Sequence, residues 1–275
     1  QALVFRHTYR VSYPDGKKTI SPAVEYPYGE VPIVLDPQAR PLDHVNLSVN
    51  DSTLVLAGST GAQLSVLSLT SEENMMTGEV TNAETRIDLP QMTEQVKALY
   101  IDPRQQWLYV INGRAQADVF SLRDKSLNGR YKLADDATTQ ITASTQLVGG
   151  ISLIFGDSTG SLSQWFMARD PDGESRFKHI RSFKMGDSPI VEITAEQRRK
   201  GFLALDAAGE IGVFHSTAHR TLLVEKVAEG PGIMALSPRA NRIIVEEGGK
   251  LLPLTLKNPH PEVSWSALWS KVWYE

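Results

Sequence analysis

Gly150-Ile151-Ser152-Leu153-Ile154-Phe155, then Gly156-Asp157-Ser158-Thr159-Gly160, then Leu162 to Met167 read as two apolar strands joined by a tight polar turn. Preceding them, Gln140 to Thr145 reads as another strand, so the segment is an antiparallel meander. The pattern occurs five times along the chain. Upstream it appears as His44 to Val49, Thr53 to Ala57 and Gln63 to Leu69, and again as Val96 to Ile101, Trp107 to Ile111 and Ala117 to Leu122. Downstream it appears as Ile190 to Ala195, Gly201 to Leu205 and Ile211 to His215, and finally as Gly232 to Ser237, Arg242 to Val245 and Leu251 to Leu256. Leu67, Phe120, Phe166, Phe214 and Leu254 stand late in the third strands at intervals of 40 to 53 residues, the period of a four-stranded propeller blade.

Fourth strands fit between the repeats at Thr85 to Leu89, Arg130 to Leu133, Phe177 to Phe183 and Thr221 to Val227. Their mixed charge suits an outer edge that must not recruit another strand. One small antiparallel sheet cannot cover both of its faces, so each blade packs on the next, and a ring leaves no exposed end. The fifth repeat lacks a clean fourth strand. The first 43 residues hold spare ones: Leu3 to Ser12, a Pro14-Asp15-Gly16 turn, Thr19-Ile20 and Val31 to Leu35. The expected fold is all-β, a single propeller over residues 1–263 closed by its N-terminal strands. Six blades fit best, with five and seven as the alternatives.

Composition narrows the function classes. With 41% hydrophobic and 22% charged residues the chain is of ordinary globular make-up. A formal charge of −4 offers no general attraction for nucleic acid, whose affinity rests on clustered Lys and Arg. The absence of cysteine excludes disulfides, thiolate metal sites and a thiol nucleophile, and suits either a reducing cytosol or a periplasm. Apolar runs are too short for a membrane helix. Beginning at Gln1 without signal peptide or initiator Met, the chain reads as a processed or excised piece.

Several motifs carry possible chemistry and a plainer reading beside it. Gly156-Asp157-Ser158-Thr159-Gly160 matches the G-x-S-x-G nucleophile elbow, but that motif requires a strand-to-helix turn. Here it joins two strands, and Gly58-Ser59-Thr60-Gly61 recurs at the same place in the first repeat, so it reads as turn geometry. His215 and His219 have the i, i+4 spacing of helical metal ligands, yet follow a strand and lack the intervening Glu. Asp170-Pro171-Asp172-Gly173-Glu174 is oxygen-rich but reads better as a turn than as a calcium loop. Arg198-Arg199-Lys200 reads as a solvated hairpin tip. Inner-strand candidates for channel chemistry reduce to His44 and Glu192. Neither a metal nor another cofactor is expected.

The chain's end departs from the repeat. After Pro259-His260-Pro261, Ser264 can cap a short helix on which Trp265, Leu268, Trp269, Val272 and Trp273 form one apolar stripe. Such a Trp-rich amphipathic segment (264–275) suits a membrane interface, or docks on the propeller itself. Its abrupt end at Glu275 suggests a cut inside a longer protein.

Together the WD40-like repeats over roughly residues 44–256 and the segment Ser264 to Glu275 resemble the extracytoplasmic insert of long-form phosphate ABC-transporter permeases. The WD dipeptide of that repeat class is missing. The resemblance implies a bacterial inner-membrane protein whose propeller faces the periplasm, attached to a permease membrane core in the same chain. It further implies a periplasmic binding protein that delivers phosphate and a cytoplasmic ATPase engaged only through the full transporter, and the propeller is then expected to be a docking or regulatory surface for the phosphate-binding protein or another envelope partner. No transport residue carries over, because the conduction path lies in the membrane helices. A propeller enzyme of lactonase type, or a free-standing envelope scaffold, are the alternatives.

Overall fold

The computed structural model describes residues 1–35, 42–48, 53–57, 64–90, 92, 94–238 and 241–255, of which 53–57 are described in backbone only. The chain divides into two compact units, one made of residues 1–113 with 117–130, the other of 114–116 with 131–275. The fold is an all-β propeller.

The first unit opens with an antiparallel ribbon, β1 (Arg6–Ser12) and β2 (Thr19–Glu25), joined through a turn at Pro14–Gly16. These two strands pair with each other. An isolated bridge between Ala2 and Ile33 follows, and Leu35 is buried against Leu67 and Leu69. The first blade is β3 (His44–Leu47), β4 (Thr53–Ala57), β5 (Leu64–Glu73) and β6 (Val80–Ile87), in sequential antiparallel order. The second is β7 (Val96–Ile101), β8 (Trp107–Asn112), β9 (Gln116–Ser121) and β10 (Ser126–Lys132), likewise a meander. Val66 of the first blade joins Val96, Leu99, Leu108, Val110 and Phe120 of the second in one core, so burial lies between sheets rather than within one.

In the second unit, one blade is β11 (Ile141–Gln146), β12 (Ser152–Asp157), β13 (Ser161–Arg169) and β14 (Ser175–Lys184). The next is β15 (Ile190–Ala195), β16 (Gly201–Asp206), β17 (Glu210–His215) and β18 (Arg220–Lys226). A three-stranded sheet follows: β19 (Ile233–Leu236), β20 (Arg242–Glu247) and β21 (Lys250–Thr255). Among the described residues, then, five blade sheets and one ribbon are present, and the fifth blade has three strands, in keeping with its missing fourth repeat strand.

Strand burial explains the sequence pattern. The outer strand β10 alternates strictly between exposed and half-buried. By contrast every residue of β16 is buried, as are the last five of β8. In β16, Phe202 and Ala204 face the core shared with the β11–β14 blade while Leu203 and Leu205 face the core shared with β19–β21, so the strand reads as the continuous apolar run Phe202-Leu203-Ala204-Leu205. Gly156 marks a close approach between blades: a Cβ there would lie 2.7 Å from the Ile190 side chain of the next inner strand.

One residue of the repeat is re-registered. Phe120 and Phe214 are almost wholly buried, but their counterpart is Trp165, not Phe166, which is only half-buried. Trp165 pairs with Leu153 as Phe120 pairs with Leu108 and Phe214 with Phe202. A register shift stands directly before Trp165 and directly before Phe214. Counting from the left-handed turn residue makes the equivalence plain. Phe120, Trp165, Phe214 and Leu254 each lie five positions after Ala115, Gly160, Gly209 and Gly249, all with positive φ.

Candidate interaction site

Carboxylates recur at the turns between second and third strands, where their work is structural. Asp157 Oδ1 accepts from the Thr159 and Ser161 amides at 2.8 and 3.0 Å. Asp206 Oδ1 accepts from the Ala208 and Glu210 amides, both at 2.9 Å. An Asx side chain of this kind replaces backbone acceptors that a tight turn cannot provide. Asp102 does the same between β7 and β8, holding Arg104, Gln106 and Trp107. Burial, followed by the Asp102 charge, pushes the nearby Tyr109 phenol far above its usual range and keeps it neutral.

Inner strands are edges, and side chains reach across to satisfy them. Asn46 Nδ2 of β3 donates to the Leu99 carbonyl of β7 at 2.9 Å. Glu192 of β15 accepts the backbone N–H of Met234 on β19. Glu192 is thereby committed to blade-to-blade bonding rather than offered as a free acid. His44, the other inner-strand candidate, is half-buried on β3.

The remaining sequence candidates resolve into turns. Ser158 lies in the β12–β13 hairpin, where its hydroxyl accepts the Gln140 amide at 3.2 Å. Gly58-Ser59-Thr60-Gly61 lies outside the described residues. His215 Nδ1 accepts from the Ala218 amide at 3.1 Å, and His219 Nε2 contacts the Ser182 carbonyl at 2.8 Å, which ties both imidazoles into hairpin packing. Asp170 is held by Arg176 and Lys178, while Asp172 and Glu174 both pair with Arg176. Basic neighbours thus neutralise the oxygens a calcium ion would require. Arg198, Arg199 and Lys200 are exposed at the β15–β16 turn, and Lys200 Nζ donates to the Val148 carbonyl at 2.6 Å. Trp265, Leu268, Trp269, Val272 and Trp273, the proposed docking stripe, lie outside the described residues.

One recess in the second unit was not legible in the sequence. A polar cavity of about 370 Å³ opens beside Lys132, Asp135, Asp136, Asp157, Trp165 and His179. Hydrogen bonds from the Thr138 amide and hydroxyl hold the Asp136 carboxyl below its usual range. His179 Nε2 lies 3.0 Å from Ser182 Oγ, superficially a nucleophile–base pair. The same nitrogen lies 3.0 Å from the Arg181 carbonyl, which has only lone pairs to offer. A protonated Nε2 donates to that carbonyl and a bare Nε2 accepts from Ser182, so the tautomer sets which contact is the hydrogen bond. The Trp165 indole N–H is engaged by Ser163 Oγ at 3.0 Å, and its ring stacks on Phe177. The recess is polar, and its Asp136, Asp157, Trp165 and Ser182 side chains bond neighbouring groups.

Among the described residues, no cluster of three or more His, Asp or Glu is arranged to hold a metal. No helix among them is long and apolar enough to cross a membrane. No family model matches the sequence, and no curated protein matches it. Among solved structures, the chain is similar to the β-propeller domain of Cps50 (Swd1) from Myceliophteria thermophila, with a TM-score of 0.59 at 10% identity. That likeness covers 80% of this chain and 72% of the other. It shows a WD40-like propeller fold.

Proposed function

We propose that this chain is a non-catalytic interaction domain, the periplasmic propeller of a phosphate ABC-transporter permease in a bacterial inner membrane. Residues 1–263 form the propeller and 264–275 lead toward the permease membrane core in the same chain. The partner is a periplasmic phosphate-binding protein, and a cytoplasmic ATPase engages only through the full transporter. The observation that carries the non-catalytic part is the commitment of the acidic side chains: Asp102, Asp157, Asp206 and Glu192 each bond backbone amides of the scaffold. Rigid blades with loops at their ends suit recognition by those loops. The permease part is supported by the sequence resemblance, above all the Trp265–Trp273 segment. Interferometry of the chain against the cognate phosphate-binding protein, with and without phosphate, tests the docking. Binding in at least one state supports it. No binding in either, with phosphate uptake intact after deletion of the propeller, removes it.

A further inference from the structure

The N-terminal ribbon exposes both of its faces, the apolar one included. Its register sets His7 opposite Val24, Tyr9 opposite Pro22 and Val11 opposite Ile20, so one face is apolar and aromatic throughout. That face points to solvent: Tyr9 is 64% exposed, Val11 50%, Ile20 56% and Val24 50%. The opposite face pairs Arg6 with Glu25, Thr8 with Ala23 and Arg10 with Ser21, and there Thr8 and Ala23 are half-buried. A two-stranded ribbon is marginal in water, and soluble monomers rarely leave a contiguous apolar face of this kind uncovered.

The chemistry around the face selects its occupant. Of the four Arg or Lys in residues 6–25, Arg6 and Arg10 lie on the reverse face, which leaves Lys17 and Lys18, beside Asp15 at the hairpin end, to meet an anionic surface. Lys17 and Lys18 are exposed at the hairpin end, close in sequence to the exposed Tyr13. Tyrosine favours the boundary between hydrocarbon and water, and lysine stems extend along apolar surface while their ammonium groups reach headgroups. Seven residues of strand extend only about 24 Å, and Arg6, Arg10 and Glu25 line the reverse face, so the ribbon suits an interfacial seat and not a span. We infer that the apolar face of β1–β2 seats in the interface of an anionic phospholipid bilayer. This inference stands apart from the phosphate reading, since it requires a membrane nearby but no transporter.

The absence of cysteine allows the ribbon to be read alone. A bimane label on Val11→Cys is expected to shift to the blue when the full chain meets vesicles of phosphatidylcholine with phosphatidylglycerol. The same label on Ser21→Cys, on the reverse face, is expected to stay unshifted. The pair Tyr9→Ser and Ile20→Ser, both at exposed positions, should lower partition to those vesicles by about tenfold or more. Lys17→Glu with Lys18→Glu should abolish the preference for anionic over pure phosphatidylcholine vesicles. No shift at position 11 on adding vesicles overturns the inference, even if the chain floats with them by another segment. A shift that needs no vesicles and grows with protein concentration assigns the face to a second copy and equally overturns it. Neither outcome touches the binding test with the phosphate-binding protein.

Discussion

The Glu192 carboxylate extends from the inner strand of its blade to accept the backbone N–H of Met234 on the inner strand of the next. Asn46 and Leu99 make the corresponding side-chain-to-backbone bridge between the first two blades, with the side chain donating instead of accepting. Within each unit, neighbouring blades are thus held by directional bonds at the inner strands as well as by apolar cores between sheets. Replacing Glu192 by Ala leaves the Met234 amide without its acceptor and should cost about 1–3 kcal/mol. Glu192→Gln retains an acceptor oxygen and should recover most of that loss. Urea unfolding of the two variants checks the ranking, and equal losses would show that the bridge contributes nothing specific.

The Asp118–Arg130 pair predicts a pH dependence. Asp118 is buried, with Arg130 Nε 3.2 Å from its Oδ1. Burial raises its carboxyl above the usual range, Arg130 opposes the rise, and Glu94 adds to it. A carboxyl raised on folding binds more protons in the native than in the unfolded state, so its contribution favours folding at low pH and is lost as pH rises through the folded value. Removing the guanidinium raises that value further. Arg130→Met should therefore destabilise at pH 7, by about 1–3 kcal/mol given Arg130's half exposure. The penalty should shrink when the pH is lowered from 7 into the acid range, as Asp118 takes up its proton. Denaturant midpoints at neutral and acid pH test the sign, and a pH-independent penalty would refute the mechanism.

Gly209 and Gly173 separate backbone strain from collision. Both have φ above 80°. A Cβ on Gly209 would strike the Ala228 carbonyl in the strand-to-blade connection, whereas one on Gly173 would meet only Arg169 Nη2 at 3.8 Å. Gly173→Ala should cost about 1 kcal/mol from the left-handed backbone alone. Gly209→Ala should cost about 3 kcal/mol or more, because backbone must move as well. Thermal melts of the two variants give the comparison.

Asp206 offers a test of charge against hydrogen bonding. Its Oδ1 serves two amides while its buried Oδ2 has no hydrogen-bond partner among the described residues. Asp206→Asn, keeping Oδ1 toward the amides, should stay within about 1 kcal/mol of the parent protein, whereas Asp206→Ala should cost about 2 kcal/mol or more. Near-equal stability of the Ala variant, read by the same melts, would mean that the turn closes without its side chain.

Much of the blade architecture could be read from residue order because it is local. A strand, a turn with Asp and Gly, and a second strand form within some fifteen residues, as from Gly201 to His215, and their hydrogen bonds follow from alternation and turn chemistry. Trp165 was harder to read. An anchor is set by its distance from the left-handed turn residue, and a register shift one residue earlier moves Phe166 off the buried row. Apolar character alone could not separate two adjacent large rings.

The order of residues determined the meander, its repeat, the turn carboxylates and the want of reactive thiols, since each depends on neighbours in sequence. Tertiary structure decided what those residues meet. Glu192 finds an amide 42 residues away, Asn46 finds a carbonyl 53 residues away, and the apolar row of β1 and β2 is left exposed. Alternation says that a strand has two faces. Only the packing of the rest of the chain decides which face is covered, because burial is a property of distant partners.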